Sequence, residues 1–110
     1  MTDEAAADYA LHQTLYPGLI RLHVLHHACE EPIFGLWMIE ELARHGYKLS
    51  AGTLYPLLHG MERKGLLRAS KEKHGKTSRK LYTATPAGRR ALRVAKKRVK
   101  ELFGELFERK

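Results

Sequence analysis

A seam of apolar residues near the C-terminal end of the chain limits most strongly how this sequence can fold. Its members recur at steps of three and four residues: Leu92, Ala95, Val99, Leu102 and Leu106, with Phe103 and Phe107 widening it near the end. This is the heptad spacing of a coiled coil. Thr85 and Pro86 form a helix cap and a first-turn proline, so the sequence predicts a helix over 86–110.

The simplest partner for this seam is a second copy of the chain. A helix of about 20 residues projects roughly 30 Å, and its apolar side cannot stay uncovered. Because twofold homodimers are the commonest oligomers, we expect 86–110 to be a dimerisation helix with the seam residues at the interface. The alternative is that this helix folds back on its own domain.

Apolar spacing predicts three shorter helices before the long one. The first begins at Pro17 and stops before Pro32, the second runs over about 34–45, and the third has Ser50 as its cap. Residues 1–14 are predicted to be a short helix or a frayed arm. Steps of three and four predict core-facing stripes on the three helices in turn: Leu19, Leu22, Leu25 and Cys29; Leu36, Ile39, Leu42 and Ala43; Leu54, Leu57, Leu58 and Met61.

Two predicted strands lie between the third helix and the long one. Residues 66–73 and 79–85 alternate apolar and polar side chains, and the polar, glycine-containing segment 74–78 joins them as a hairpin loop. This order of elements predicts a mainly helical α+β fold. It consists of a winged helix-turn-helix over 15–85, with the small β-hairpin as its wing, followed by the long helix.

The charge of the chain is unevenly distributed. The formal net charge is +8; residues 1–62 carry three bases and eight acids, whereas residues 63–110 carry seventeen bases and four acids. A basic half on an otherwise acidic chain predicts a polyanionic partner, with nucleic acid ahead of an anionic membrane. The alternative is a solvated surface that only keeps the protein soluble.

The sequence shows no pattern typical of a membrane or exported protein. No apolar run approaches the roughly 20 residues that cross a bilayer, and Asp3, Glu4 and Asp8 stand where a signal peptide would be basic. Cys29 is the only cysteine, which fits a reducing compartment. We therefore expect a cytoplasmic protein with no membrane partner.

Several short motifs carry a resemblance to a known family. Residues 50–58 read SAGTLYPLL, with Met-Glu at 61–62 and Gly-Leu-Leu at 65–67, and further on 79–82 read RKLY and 85–88 read TPAG. These motifs closely resemble the PadR family of bacterial transcriptional regulators. The string GTLYPLL is much more specific than a general helix-turn-helix pattern.

The resemblance extends over roughly 15–92 and implies both a fold and a function. The family usually has Gly-Tyr at the start of its second helix, where this chain has Gly35-Leu36. The resemblance implies a winged-helix domain, dimerisation through the terminal helix and repression by occupying operator DNA. The chain is similar to short-form members, which lack a larger C-terminal domain, and members often respond to small molecules.

The outward face of the third helix is expected to contact double-stranded DNA, because the N-terminal residues of a recognition helix enter the major groove. Ser50 and Thr53 can bond a base edge or a phosphate, and Gly52 permits close approach. Tyr55 has two readings, a phenol that bonds a phosphate or an aromatic ring packed under the helix. The predicted contact residues of this helix are Ser50, Ala51, Gly52, Thr53, Tyr55, His59 and Arg63.

The hairpin is expected to bind DNA phosphates. Lys71 and Lys73 are two residues apart and share a face of their strand, and Lys76 lies at the tip. Such contacts add affinity and salt dependence but little sequence information. The predicted wing contacts are Lys71, Lys73, Lys76, Arg79 and Lys80. The alternative is a charged, solvated hairpin, and the basic block over 89–100 is expected to give only general electrostatic help.

We therefore predict a transcriptional regulator and, more narrowly, a repressor that binds a palindromic operator as a homodimer and responds to a small-molecule effector. One alternative is an RNA-binding or protein-docking winged-helix module. Another is a metal-responsive regulator in which His23 and His27, with Cys29 near, hold a cation. We assign no metal site, because the sequence shows no carboxylate–histidine network or CxxC pattern and Cys29 falls on the apolar stripe. We assign no cofactor, because the glycines match no phosphate-binding loop. We assign no enzymatic activity, because the pairs Glu30-Glu31 and Glu40-Glu41 diverge on a helix and make no acid–base dyad.

Overall fold

The structure is a computed structural model that describes residues 2–108, apart from the side chain of His74. The predictions for Met1, Arg109 and Lys110 lie outside the described residues. In chain order the elements are α1 (Asp3–Gln13), α2 (Tyr16–Glu30), β1 (Ile33–Phe34), α3 (Gly35–Arg44), α4 (Ala51–Arg63), β2 (Leu67–His74), β3 (Thr77–Ala84) and α5 (Pro86–Phe103), continued by a π-helical turn, Gly104–Glu108.

The three strands form one small antiparallel sheet in the order β1-β3-β2. This mainly helical arrangement confirms the predicted α+β winged-helix fold. The prediction missed β1, because it began the second helix at about 34. Pro32 keeps Glu31 in the extended conformation, so the chain first joins the sheet, where Ile33 pairs with Tyr82.

The N-terminal segment is a helix rather than a frayed arm. Oγ1 of Thr2 accepts a hydrogen bond from the backbone N–H of Ala5 at 3.0 Å and so caps α1. Two contacts tie α1 to α2. The Tyr16 hydroxyl lies 3.3 Å from Oδ1 of Asp8, and the His12 ring packs edge-on against Tyr16 with a centroid distance of 4.7 Å.

The core lies between α2, α3, α4 and the sheet. Its largest fully enclosed side chains are Val24, Ile33, Met38, Leu42, Leu54, Leu58, Leu67 and Tyr82. The stripe predicted for α4 is confirmed at Leu54, Leu58 and Met61, with Leu57 partly buried. This stripe fixes which side of α4 is left for a partner.

The stripe predicted for α2 is rotated about the helix axis relative to the observed one. Leu25 is buried as expected, but Leu19 is 44% exposed, and Leu22 and Cys29 are only partly buried. The core side of α2 consists of Ile20, Val24, Leu25 and Ala28. Because α2 is apolar on two adjoining faces, its periodicity alone does not tell which face meets the core.

The stripe predicted for α3 is confirmed only in part. Leu42 is buried and Ile39 partly buried, but Leu36 is 61% exposed and Ala43 is also exposed. Met38 stands on the core side instead. Met38 and Leu42 are four residues apart and form one ridge, which leaves Leu36 and Ala43 on other sides of the helix.

The hairpin has a shorter loop than predicted. The register of β2 and β3 runs from the pair Leu67 and Ala84 to the pair His74 and Thr77. Only Gly75 and the exposed Lys76 are left for the turn. Gly75 has a φ of +65°, which a glycine adopts without strain. The strands therefore carry basic side chains almost to the tip.

The start of α5 is held close to the strand β2. Oγ1 of Thr85 accepts the backbone N–H of Gly88 at 2.9 Å, which confirms the predicted cap. A Cβ on Gly88 would overlap the carbonyl oxygen of Leu66, so a glycine is required for this approach. α5 then lies along α2.

The end of the chain departs from a regular α-helix. The predicted helix over 86–110 is α-helical only to Phe103, and a π-helical turn follows, on which Leu106 and Phe107 lie. None of the helices within residues 2–108 combines the length and the apolarity needed to cross a membrane.

Candidate nucleic-acid interface

The first turn of α4 presents small side chains at the surface. Ser50 precedes the helix in an extended conformation, and its Oγ lies 3.3 Å from Oγ1 of Thr53. Ala51, Gly52 and Thr53 are exposed, while Leu54 directly behind them is enclosed in the core. The core therefore holds this turn from behind, and its small side chains are left exposed.

Tyr55 lies against the neighbouring helix. A Cβ on Gly35, the first residue of α3, would overlap the phenol of Tyr55. The ring therefore fills the space above Gly35, which supports the packing interpretation, although the side chain is still 36% exposed. Further along α4, His59 is partly buried and Arg63 is exposed.

Cross-strand pairing places three lysines on one face of the hairpin. Lys71 lies opposite Lys80, and Lys73 is two residues further along β2, so the three share a face. Tyr82, two residues after Lys80 on β3, is buried on the same face. The lysines thus continue the core-facing side of the sheet beyond the core, and the exposed Lys76 stands at the turn.

Arg79 lies on the other face of the hairpin, apart from these lysines. Its guanidinium is 4.4 Å from the centroid of the Phe34 ring, and its Nη2 is 3.8 Å from Oε1 of Glu72. Lys80 is also engaged, with Nζ 3.9 Å from Oε1 of Glu62 on α4. The structure therefore divides the predicted wing bases: Arg79 and Lys80 each lie near a carboxylate. Lys71, Lys73 and Lys76 are exposed.

The predicted dimer residues become more exposed toward the end of the chain. Leu92 and Ala95 are partly buried. The exposed fractions of the others are 47% for Val99, 51% for Leu102, 51% for Phe103, 63% for Leu106 and 71% for Phe107. Within the described chain, its own domain therefore covers this end of the helix only in part.

An apolar groove runs between α2 and α5. Leu19 and Leu22, which were expected in the core, line this groove. Nη1 of Arg89 on α5 donates to the carbonyl oxygen of Cys29 at 2.9 Å, which ties α5 to the end of α2. The groove has a volume of about 710 Å³, and its apolar lining is Leu19, Leu22, Leu92, Val99 and Phe103.

A buried carboxylate, Glu41, was missed by the sequence analysis. It is only 8% exposed, and Nη1 of Arg44 donates to it at 2.7 Å. Two imidazoles approach its Oε2, with Nε2 of His45 at 3.0 Å and Nε2 of His27, on α2, at 3.4 Å. Its position directly before Leu42, inside the apolar stripe of α3, is the signal that could have revealed it.

These contacts shift the ionisation of the groups around Glu41. The hydrogen bond with His45 holds the pKa of Glu41 below its usual range, against the opposing effect of burial. Burial lowers the pKa of His27 and of His23 below the ordinary value of 6.5. His23 stacks on His45 at a centroid distance of 4.8 Å, whereas His27 faces Glu41. The two imidazoles predicted as a metal pair therefore have different partners.

The known proteins that this chain resembles are described as transcriptional regulators. The family described as the transcriptional regulator PadR-like family matches residues 24–94. The chain is 46% identical over 88 residues to the transcriptional regulator Rv3488 of Mycobacterium tuberculosis, covering 80% of this chain and 82% of that protein.

Solved structures agree with this relationship. A PadR family transcriptional regulator from Eggerthella lenta has a TM-score of 0.78 and 32% identity, covering 98% of this chain and 96% of that one. A PadR family transcription regulator from Clostridium difficile has a TM-score of 0.69 and 21% identity, covering 78% and 95% respectively. The second likeness concerns the fold alone.

Proposed function

This chain belongs to the PadR-like family of transcriptional regulators, and from that premise we propose that it represses transcription by binding a palindromic operator duplex as a homodimer. The observation that carries the proposal is the packing of the hairpin on α4. The open first turn of α4 and the lysine face of the hairpin belong to elements that pack on each other, and Lys80 on β3 approaches Glu62 on α4.

The first turn of α4 is the proposed sequence reader. Ser50 and Thr53 supply hydroxyl groups, and Ala51 supplies a methyl group that can touch a thymine methyl. Gly52 adds no side chain, so the backbone can come close to a base edge or a phosphate. The apolar stripe behind this turn holds it on a rigid element, which is what direct readout of a groove requires.

The wing is the proposed phosphate clamp. Lys71, Lys73 and Lys76 are exposed at the distal part of the hairpin. They are expected to neutralise phosphates and release counterions, which adds affinity in a salt-dependent manner. Arg79 is a weaker candidate, because its contacts with Phe34 and Glu72 hold it on the other face.

A second copy of the chain is the proposed partner of the terminal helix. Exposed apolar patches of this kind mark interaction surfaces, and the heptad seam suits another helix with the same seam. A twofold dimer would place two α4 helices about one turn of DNA apart. Sitting on a promoter, such a dimer would exclude the transcription machinery.

The groove between α2 and α5 supports a place for a small-molecule effector in this dimer. Its volume of about 710 Å³ lies in the range of ligand pockets, and the terminal helix of the second copy would close it. A ligand there would contact the element that sets the relative position of the two α4 helices. This would let it change operator affinity.

The test is fluorescence anisotropy of the full chain on duplex DNA from upstream of its own gene, against a scrambled duplex, from low to physiological salt. We expect a preference of about a thousandfold or more, saturation at one dimer per site and a linear fall in log affinity with log salt. Equal, weak binding to both duplexes that vanishes at physiological salt would contradict the proposal and favour RNA or protein partners.

A matched pair of variants sharpens this test. Thr53→Ala should weaken operator binding by about 1–3 kcal/mol if Thr53 reads a base, while binding to the scrambled duplex stays unchanged. Thr14→Ala is the control, because Thr14 is exposed between α1 and α2, where its hydroxyl donates to the carbonyl of Ala10. If Thr53→Ala and the unaltered protein had equal operator affinity and sequence preference, Thr53 would not contact a base.

A further inference from the structure

The C-terminal half of α2 carries a group of side chains suited to hold a cation: His26, His27 and Glu30. Within residues 2–108, these three each offer a ligand atom, and the ligand atoms lie within 4.8 Å of one another. Nε2 of His26 is 3.4 Å from Oε1 of Glu30, and the centroids of the two imidazole rings are 4.9 Å apart.

The chemistry of this group matches a divalent transition metal. Imidazole nitrogen suits zinc, copper and nickel, whereas magnesium and calcium prefer oxygen alone. Ligand distances of about 2.0–2.2 Å to zinc bring neighbouring ligand atoms to roughly 3.5 Å from each other, so ligand atoms that are up to 4.8 Å apart must approach one another. His26 and Glu30 have side chains that are 53% and 63% exposed, which lets both rotate toward an ion.

His27 is held in place by groups outside this trio. Its side chain is only 17% exposed, and its Nε2 lies 3.4 Å from Oε2 of Glu41. Glu41 is itself fixed by Arg44 and His45. A metal-binding imidazole commonly uses its second nitrogen to donate to a carboxylate, which orients the ring and raises its basicity. Oε2 of Glu41 can accept this hydrogen bond from Nε2 of His27.

We propose that His26, His27 and Glu30 bind one divalent transition-metal ion of the zinc class, with Glu41 as the positioning residue for His27. The exposed side of the group leaves room for water to complete the coordination. The inference goes beyond the proposed function, because this binding requires neither DNA nor a second copy. His27 on α2 and Glu41 on α3 also link such an ion to the helix that precedes α4.

The test uses the tag-free full chain without DNA and Co²⁺ as the probe, followed by its visible absorption and by competition with Zn²⁺. We expect saturation at one ion per chain and a loss of about tenfold or more in affinity for His26→Gln and for Glu30→Gln. His12→Gln is the control, because His12 lies on α1, and it should bind as the unaltered protein does. Absence of the cobalt spectrum, or equal affinity in the His26→Gln, Glu30→Gln double variant, would overturn the site.

The positioning role of Glu41 has its own test. Glu41→Gln should lower the Co²⁺ affinity by about 10–100-fold and change the absorption bands, because the His27 ring is no longer fixed. Glu41→Asp should restore part of the affinity. Far-UV circular dichroism checks that both variants fold. Unchanged affinity and an unchanged spectrum in folded Glu41→Gln would overturn the positioning role.

Discussion

The winged-helix core and the end of the terminal helix use the same apolar residue types in opposite ways. Leu54 and Leu58 of α4 are fully enclosed, whereas Leu102 and Phe103 of α5 each keep 51% of their surface exposed. The chain itself completes the first set of contacts. The second set is only about half covered within the described chain, and this contrast separates the contacts that the fold needs for itself from those that it leaves for a partner.

The helix α2 belongs to both regions. Val24 and Ala28 point into the core, while Leu19 and Leu22 line the groove beside α5. A partner or ligand in the groove would therefore press on the same helix that supports the core. The comparison predicts that substitutions on the two sides differ in kind, the first changing folding and the second changing assembly.

The largest effect is expected from Leu58→Ala. Leu58 is fully buried, so its truncation should lower the free energy of unfolding by about 2–5 kcal/mol, measured by urea denaturation. Leu36→Ala is the control, because Leu36 is 61% exposed and its loss should cost less than about 0.5 kcal/mol. A similar small loss for both variants would erase the distinction between the core and the exposed faces.

The second largest effect is expected from Phe103→Ala, in assembly rather than in folding. If Phe103 is an anchor of the dimer, its truncation should weaken the dimer by about 2 kcal/mol, or roughly 30-fold in Kd. Sedimentation measures the dissociation constant. Val94→Ala is the control, since Val94 is 55% exposed on the same helix but outside the seam. A chain that stays monomeric at high concentration would show that the seam serves another purpose.

The sequence predicted an element correctly where its residue pattern is compatible with a single arrangement. The α4 stripe and the Thr85 cap were predicted correctly, because each pattern allowed one arrangement. The face of α2 was not, since two adjoining apolar faces satisfy the same spacing and only the packing of α3 and α5 selects between them. The short strand Ile33–Phe34 was missed because it forms by pairing with β3, which is distant in sequence.

In the candidate site, too, the features that depend on contacts between different elements were not predicted. The string around Thr53 indicated the first turn of α4, whose small side chains the structure places at the surface. The division of the wing bases could not be predicted, because it depends on the register that puts Arg79 opposite Glu72 and near Phe34. The burial of Glu41 was overlooked because it depends on packing against α2, where one of its three partners, His27, lies.

The wing and the terminal helix also differ in their basic residues, and we expect a smaller effect on DNA binding when one of these is removed. Lys73→Ala should weaken binding to operator and scrambled duplexes alike and reduce the salt slope by about 1, because a phosphate contact carries no sequence information. Arg90→Ala removes the same charge from α5 and should change the slope less. Anisotropy titrations over a range of salt measure both. An equal change of slope for the two variants would mean that only net charge matters and that the wing has no special position.

The smallest effect is expected from pH, and it arises where His27 of α2 faces Glu41 of α3. Burial lowers the pKa of His27 in the folded chain, so the unfolded chain takes up the proton first and stability falls as pH drops below the ordinary value of 6.5. Glu41 has its pKa lowered chiefly by His45, so the stability from its ionised form is lost only at lower pH, as the carboxylate becomes protonated.

The variant His27→Gln separates the pH range in which His27 affects stability from the lower range in which Glu41 does. Urea denaturation in EDTA from pH 7.5 to 5.5 should show a shallower loss of stability in this variant than in the unaltered chain. The loss should not vanish, because His23 has a pKa lowered in the same direction. His23 and His26 line the groove whereas His27 does not, so His27→Gln should leave the pH dependence of the dimer dissociation constant as it is in the unaltered chain. A change in the pH dependence of dimerisation in His27→Gln would show that the core and the terminal helix are coupled through α2 rather than independent.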